Sequence, residues 1–426
     1  MPHESTPLRI AMVSLHTSPG DEPGSGDAGG MNVVVRHQAD AMAAAGHTVD
    51  LITRRSSAEQ PARVELAERV TLWFVDAGPA HPVPKGDHEG FIADFESGLD
   101  VVLATIRAEA GSAGGAEGGS AVGTDLIHSH HWFSGMAGLP VARRLGIPHV
   151  QSFHSIAADE STPLSAGERP ESPGRLAGEA WLAQQSDSVV AISEAEAETV
   201  ITRLGGSPDH IAVVPPGVDG ALFHPRDADA PSAAPSDRGY AIVAGRLQPL
   251  KGFDLAIEAI AHVPASIRPE LVVAGDVSAD YDEYIAELSR LAAADGIERE
   301  VRFVGPQSRS GLAALLRDAR LVLVPSHSET YGLVALEAAA SGVPVVAAAS
   351  GGLREAVVDG VTGVVLDTRD PEIWAETITR ILDDATLARQ LSAAARQRAE
   401  LLDWERSADG LVSVYRQLLE TPALRS

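Results

Sequence analysis

The 426-residue chain has no cysteine. Disulfide frameworks, thiolate metal sites and cysteine nucleophiles are therefore excluded, and the compartment is left open on this ground. Basic residues are scarce: 33 Lys and Arg stand against 59 Asp and Glu, a formal net charge of −26. Such a surface repels nucleic-acid phosphates and anionic lipid, so any anionic substrate must be held by a few local cations. No apolar run reaches the roughly 18 residues of a membrane span. The opening MPHESTPLRI lacks the basic and apolar regions of a signal peptide, and no cationic amphipathic helix for membrane docking is evident. A soluble, cytoplasmic protein is expected, without nucleic-acid or integral-membrane partners. The spaced G-x-G-x-x-G of dinucleotide enzymes is also missing, which disfavours a dehydrogenase.

What is present is a long, ordinary globular composition, 44% hydrophobic. The length calls for two or three domains. LRIAMVSL (8–15) reads as a strand, followed by a Gly-rich loop (16–32). A helix through VVRHQADAMAAAG stops at Gly46, and HTVDLITR (47–54) is the next strand. This β–loop–α–β run opens a Rossmann-like half. GSAGGAEGGS (111–120) reads as a loop. DLIHSH, PHVQSFHS, SDSVVAIS and HIAVVPPGVD continue the alternation, with a helix from His131 to Gly146.

HPRDADAPSAAPSDR (224–238) has the composition of an interdomain linker. Six further apolar strands then follow, among them YAIVAGRL, ELVVAGD, ARLVLVPS and VPVVAAAS. Continuous apolar runs of this kind are buried parallel strands. The expected fold class is α/β: two doubly wound Rossmann-like domains facing across a cleft at the carboxyl ends of their strands. The expected division is residues 1–223, a linker at 224–238, a second domain at 239–403, and a C-terminal helix at 404–426 that in folds of this kind often crosses back to the first half.

Chemistry concentrates in four stretches. SHSETYGLVALE (326–337) puts Glu329 just before a helix and Glu337 inside it. Carboxylates there can accept hydrogen bonds from vicinal sugar hydroxyls and from a ribose. The plainer alternative is an acid favoured at a helix N-terminus and a solvated Glu337. GRLQPLKG (245–252) places Arg246 and Lys251 on one loop, where a planar fork and a point charge can meet one diphosphate; the alternative is two solvated cations. GSGDAGGMN (24–32) brings Gly30 and Asn32 to the start of the first helix. Its backbone amides can approach a phosphate, and Asn32 can bond an acceptor or cap the helix. ASGGLREAV (349–357) repeats the glycines-before-helix pattern or is a simple strand–helix turn.

Histidines gather at strand ends: His16, His128, His130, His131 and His154. His128 and His130 share a strand face that His131 leaves, so a metal cluster is disfavoured. His154 is either a structural histidine or an active-site one facing the cleft. Two D-x-D triplets, Asp227/Asp229 and Asp280/Asp282, read as chance and as solvated loop rather than as a metal site.

Together GDAGGMN, PPGVD, GRLQPLKG and the two glutamates of 326–337 resemble glycosyltransferase family 4, which has the GT-B fold. The likeness runs over nearly the whole chain. Within the family, SLHTSPGDEPGSGDAGGMNV, DLIHSHHWFSG and GRLQPLKG are most similar to members acting in mycothiol biosynthesis, which move N-acetylglucosamine from its UDP donor onto inositol phosphate. The resemblance implies a retaining enzyme using a UDP-sugar and a small phosphorylated acceptor. No cofactor is required; Mg²⁺ is admissible but not essential, and a homodimer is compatible. It further implies that Arg246 and Lys251 bind the donor diphosphate, Glu329 the donor sugar and Glu337 the ribose. Gly30 lies against the donor, Gln307 near the base, and His154 beside the reacting sugar. His16, Asn32, Lys85, His131, Ser155 and Arg175 fall at the acceptor. Three positions depart from the family pattern: His131 stands for a tyrosine, Ser155 for a threonine and Gln307 for an arginine. Alternatives on the same fold are a transferase with another acceptor (a sucrose-phosphate-synthase-like enzyme, or one acting on lipid or polysaccharide), a UDP-sugar epimerase, or a non-catalytic sugar-nucleotide sensor.

Overall fold

The computed structural model describes residues 6–21, 29–112, 123–157, 172–226, 238–277, 281 and 283–420. Two separate sheets organise the chain. The first is built from β1 (Arg9–Ser14), β2 (Thr48–Arg54), β3 (Arg63–Ala67), β4 (Val70–Val75), β5 (Leu126–His130), β6 (His149–Ser152), β7 (Ser188–Ala191) and β8 (Ile211–Val213). Their order is β3-β4-β2-β1-β5-β6-β7-β8, parallel except for the β3–β4 pair. The helices that go with it are α1 (Gly30–Ala44), α2 (Ile92–Ser112), α3 (Trp132–Leu145), α4 (Arg175–Gln185) and α5 (Glu194–Thr202).

The second sheet holds β9 (Tyr240–Ala244), β10 (Glu270–Ala274), β11 (Val301–Gly305), β12 (Leu321–Val324), β13 (Val345–Ala348) and β14 (Gly363–Leu366), in the order β11-β10-β9-β12-β13-β14. With it go α6 (Phe253–His262), α7 (Tyr284–Ala294), α8 (Arg309–Asp318), α9 (Leu333–Ala340), α10 (Leu353–Ala356), α11 (Pro371–Asp383) and α12 (Ala385–Ala399). All its strand pairs are parallel. The expected α/β architecture of two doubly wound sheets is what forms.

The apolar runs explain the strands. Covered by helices on both faces, β1, β5, β9 and β12 need no alternation, and nearly every residue in them is buried. Helix ends follow their glycines: α1 and α3 stop just before Gly46 and Gly146, both left-handed at φ 96° and 70°. One strand, β3, carries no apolar signal of that kind. The β3 segment RVELA is an exposed edge, joined antiparallel to β4 through Arg69 at φ 65°. Of the expected loop 111–120, Gly111 and Ser112 close α2 and the rest lies outside the described residues, as do both D-x-D triplets and most of the expected linker.

The last helix, α13 (Trp404–Glu420), returns to the first half and packs on α1. Its buried residues Trp404, Ser407, Ala408, Leu411, Val412 and Tyr415 recur at three- and four-residue steps, one apolar stripe. Trp404 stacks on His37 at 4.9 Å, Gln38 Nε2 donates to Ser407 Oγ at 3.0 Å, and Tyr415 OH meets His128 Nδ1 at 2.6 Å under β5. In each sheet the chain order reverses beside the first strand, between β2, β1 and β5 and between β10, β9 and β12. Open α/β sheets form their ligand crevices outside such points, and the residues following β1, β5, β9 and β12 are those singled out above.

Candidate active site

From the first half, His16 follows β1 and His131 follows β5. Their rings lie 4.4 Å apart, and Phe133 packs against both. His131 is 2% exposed, holds a left-handed backbone at φ 69°, and neither ring nitrogen has a hydrogen-bond partner. That is costly for a buried imidazole. Burial holds both histidines well below the usual range, and the positive charges of Lys85 and Arg175 push both lower. Arg246, from the second half, acts on His16 in the same way. His16 and His131 therefore lie within electrostatic reach of the cations Lys85 and Arg175, and His16 of Arg246 as well, in an otherwise acidic protein.

Arg175 is fixed from behind. It opens α4, its Nε donates to Glu179 Oε1 at 2.7 Å, and its Nη2 donates to Ser155 O and Oγ at 3.0 and 3.1 Å. Glu179, one turn on and fully buried, also accepts the Ala157 N–H. Asn32 is buried at the third position of α1. Its amide donates to Ser18 O at 2.6 Å and to Thr17 Oγ1 at 2.9 Å, and its oxygen accepts the Gly29 N–H. Of the two readings of Asn32, the capping one describes it in this structure.

From the second half, Lys251 Nζ sits 2.6 Å from Glu329 Oε2, and Ser326 Oγ lies 3.5 Å from the same oxygen. Both partners are about one-fifth exposed, 22% and 20%, so Lys251 is not the freely solvated cation of the plainer reading. Glu337 is not solvated either. It is 3% exposed inside α9 and pairs with Arg309 Nη1, while its other oxygen has no partner. Burial raises its carboxyl above the usual range and Arg309 draws it back. Arg309 starts α8 and stacks over Phe223 at 4.7 Å. Gln307, beside it, turns its amide onto Val304 O and Gly305 O.

The two halves meet at these groups. A Cβ on Gly30, at the start of α1, would lie 3.2 Å from Leu333 at the start of α9. Thr330, next to Glu329, donates from Oγ1 to His154 O at 2.7 Å, and Ser193 Oγ donates to Thr330 O at 2.8 Å. His154 has φ 58°, and its Nε2 lies 2.8 Å from His130 Nδ1. Burial lowers His154 to about 4, so the ring is neutral at physiological pH. Gly351 and Gly352 lie directly against the carbonyls of Glu329 and Thr330; any side chain there would strike them, and Gly351 sits at φ 48°. Close backbone approach explains the glycines of this loop better than a phosphate cradle, because α10 is only four residues long. Among the described residues no group of three or more His, Asp or Glu could hold a metal ion. None of their helices is long and apolar enough to cross a membrane.

The sequence reading did not identify His88, Arg309, Thr330 or Glu179. His88 is buried beside His16 and Phe133, and no motif flags it. Arg309 and Thr330 gain meaning only from partners distant in sequence.

Comparison with known proteins agrees with this geometry. Residues 28–221 match the family model described as Glycosyltransferase Family 4, and residues 224–398 match Glycosyl transferases group 1. The D-inositol 3-phosphate glycosyltransferase of Salinispora arenicola is 40% identical over 96% of this chain and 92% of that protein. The chain belongs to glycosyltransferase family 4. Among solved structures, a sucrose-phosphate synthase from Thermosynechococcus elongatus superposes with a TM-score of 0.84 at 28% identity, over 96% of this chain and 99% of that one. Anabaena HepE, solved with UDP and glucose, gives 0.70 at 20% identity, over 96% and 100%, a likeness of fold. This family 4 enzyme thus has the GT-B fold and is a glycosyltransferase.

Proposed function

We propose that this glycosyltransferase moves a hexosyl group, with N-acetylglucosamine the leading candidate, from a UDP-sugar to a small phosphorylated acceptor such as 1D-myo-inositol 3-phosphate, with retention of configuration. What supports this reading is the pairing of Lys251 with Glu329 in the second half, the hydrogen bond that joins neighbouring Thr330 to His154 of the first half, and the charge of Arg246 acting on His16. Residues 239–403 would form the donor domain and 1–223 the acceptor domain, joined at 224–238.

In this reading Arg246 and Lys251 hold the donor diphosphate. Glu329 accepts hydrogen bonds from the sugar hydroxyls. The unpartnered oxygen of Glu337 accepts from the ribose, and Gly30 leaves room for the donor. The base lies by Gln307, whose folded-back amide leaves recognition to backbone groups. Lys85, Arg175 and Ser155 take the acceptor phosphate. His16 and His131 donate or accept beside it, and Asn32 shapes their loop. As the C1–oxygen bond breaks, its electron pair goes to the diphosphate and positive charge grows on the sugar. Fixed cations stabilise that diphosphate more in the transition state than in the ground state. The acceptor hydroxyl attacks C1 from the face the diphosphate leaves, and its proton passes to a diphosphate oxygen. No side-chain base with a tuned pKa is needed, in keeping with the absence of a glycosidase-like carboxylate pair from the motifs. No metal enters these steps.

A sugar phosphate other than inositol phosphate is the second reading. His131 favours it, since an imidazole has a different reach from the family's tyrosine, as does the 28% identity to a sucrose-phosphate synthase. Mass-spectrometric screening of several UDP-sugars against inositol phosphate and other sugar phosphates separates the two. Consumption of a UDP-sugar without any acceptor product would favour an epimerase.

A further inference from the structure

We propose that Thr330 is a positioning residue that sets His154 against the donor by a hydrogen bond across the cleft. This rests on the transferase reading of the site and adds a residue to it.

Three relationships support the assignment. Thr330 is held by the first half on two sides: its hydroxyl donates to His154 O at 2.7 Å, and its own carbonyl accepts from Ser193 Oγ at 2.8 Å. His154 stands in the left-handed region at φ 58°. L-residues other than glycine and asparagine rarely rest there unless surrounding bonds hold them. Those bonds are present. Thr330 fixes the carbonyl, and His130 Nδ1 meets the ring at 2.8 Å. Finally, Thr330 has no slack relative to Glu329. The Glu329 carbonyl accepts the Gly352 N–H at 3.0 Å, and the backbones of Gly351 and Gly352 pack against both carbonyls. A shift of the donor-sugar loop therefore reaches His154 through one hydroxyl.

Other bonds keep the halves together without it. The Glu355 carboxylate accepts the Glu194 and Ala195 N–H groups at 2.9 Å each, Val218 N donates to Leu402 O, and α13 packs on α1. Removing the Thr330 hydroxyl should therefore misplace His154 without opening the fold.

The test compares Thr330→Val, of nearly the same shape, with Thr330→Ser, which keeps the donor. The valine variant is expected to lose about 10- to 100-fold in kcat for transfer. Its KM for the UDP-sugar should stay within about 3-fold of the parent, and the share of donor lost to hydrolysis should rise. The serine variant should recover kcat to within about 3-fold of the parent. A valine variant with parental kcat, a loss that serine shares, or a change confined to donor KM overturns the proposal. Histidine-selective ¹⁵N spectra of the free protein provide a readout that needs no substrate. The His130–His154 signature should be lost in valine and kept in serine. Unchanged spectra in the valine variant overturn the proposal even if valine lowers activity. If the parent protein transfers no sugar at all while the spectra behave as expected, it is the transferase reading that fails and the positioning contact that stands. If valine does not fold, parental spectra and kcat in Ser193→Ala together with non-parental spectra in Thr330→Ser would still contradict it, and the reverse pattern would support it.

Discussion

Lys251 Nζ and Glu329 Oε2 lie 2.6 Å apart, so the cation expected at the donor diphosphate and the carboxylate expected at the donor sugar neutralise each other. In the proposed reading, a bound UDP-sugar draws the ammonium toward phosphate and leaves the carboxylate to the sugar hydroxyls. Replacing Glu329 by Gln frees Lys251, so UDP alone should bind as well as before or better, while turnover of the UDP-sugar falls. Replacing Lys251 by Ala should lower kcat by about 10²- to 10³-fold, the usual size for a lost charge-stabilising donor. Isothermal titration with UDP and steady-state kinetics measure the two arms.

Arg309 draws the Glu337 carboxyl back down in a site where burial raises it. Arg309→Gln removes that support, and the carboxyl moves further up. The ionised form is the better acceptor for ribose hydroxyls, so the variant should bind UDP about 10-fold more weakly. The loss should deepen as pH falls and recover as it rises. Titrations between pH 6 and 8.5 check the sign.

Lys85 and Arg175 both act electrostatically on His16 and His131. Lys85→Ala and Arg175→Ala should each raise KM for a phosphorylated acceptor about 10-fold or more. Donor KM should stay within about 3-fold. Arg175→Ala should also cost some stability, because it leaves the buried Glu179 without its ion partner. Acceptor and donor titrations, with a melting curve, distinguish these effects.

Eight histidines are depressed by burial: His16, His37, His47, His128, His130, His131, His149 to about 3 and His154 to about 4. A depressed imidazole binds its proton in the unfolded chain before it does in the folded one. Stability is thus complete above the ordinary histidine range near 6.5 and is lost as pH falls below it, by up to about 1.4 kcal/mol per pH unit for each group. Asp21, Glu196, which is raised to about 7, Glu258 and Glu337 oppose the trend, since their folded carboxyls hold protons more tightly than the unfolded ones. Eight groups against four leave the histidines in control. The unfolding temperature should drop steeply from pH 6.5 to 5, and a flat profile over that interval would contradict this account.

The central strands and the main motifs were legible because their signals are local. A strand buried on both faces is a run of apolar residues, and GRLQPLKG or SHSETYGLVALE states its loop in one stretch of chain. The edge strand β3 gave no such signal, because an exposed RVELA has no core to record. Pairings were hidden for a different reason. Arg309 meets Glu337 from 28 residues away and Thr330 meets His154 from 176, and in neither case does the residue itself announce its partner. Asn32 was readable as either a cap or an acceptor ligand, and only the neighbouring Thr17 and Ser18 decide that its amide is engaged by the turn. The orphaned ring of His131 likewise depends on what does not reach it within a buried pocket.

The most direct test of sugar transfer from a UDP donor is proton NMR of a reaction containing UDP-N-acetylglucosamine and inositol 3-phosphate. UDP release matched by a new α-anomeric signal on the acceptor is the predicted result. A β-linked product would contradict retention. If no product formed with this pair or with any other UDP-sugar and sugar phosphate, the donor and acceptor roles assigned to the cleft would be wrong.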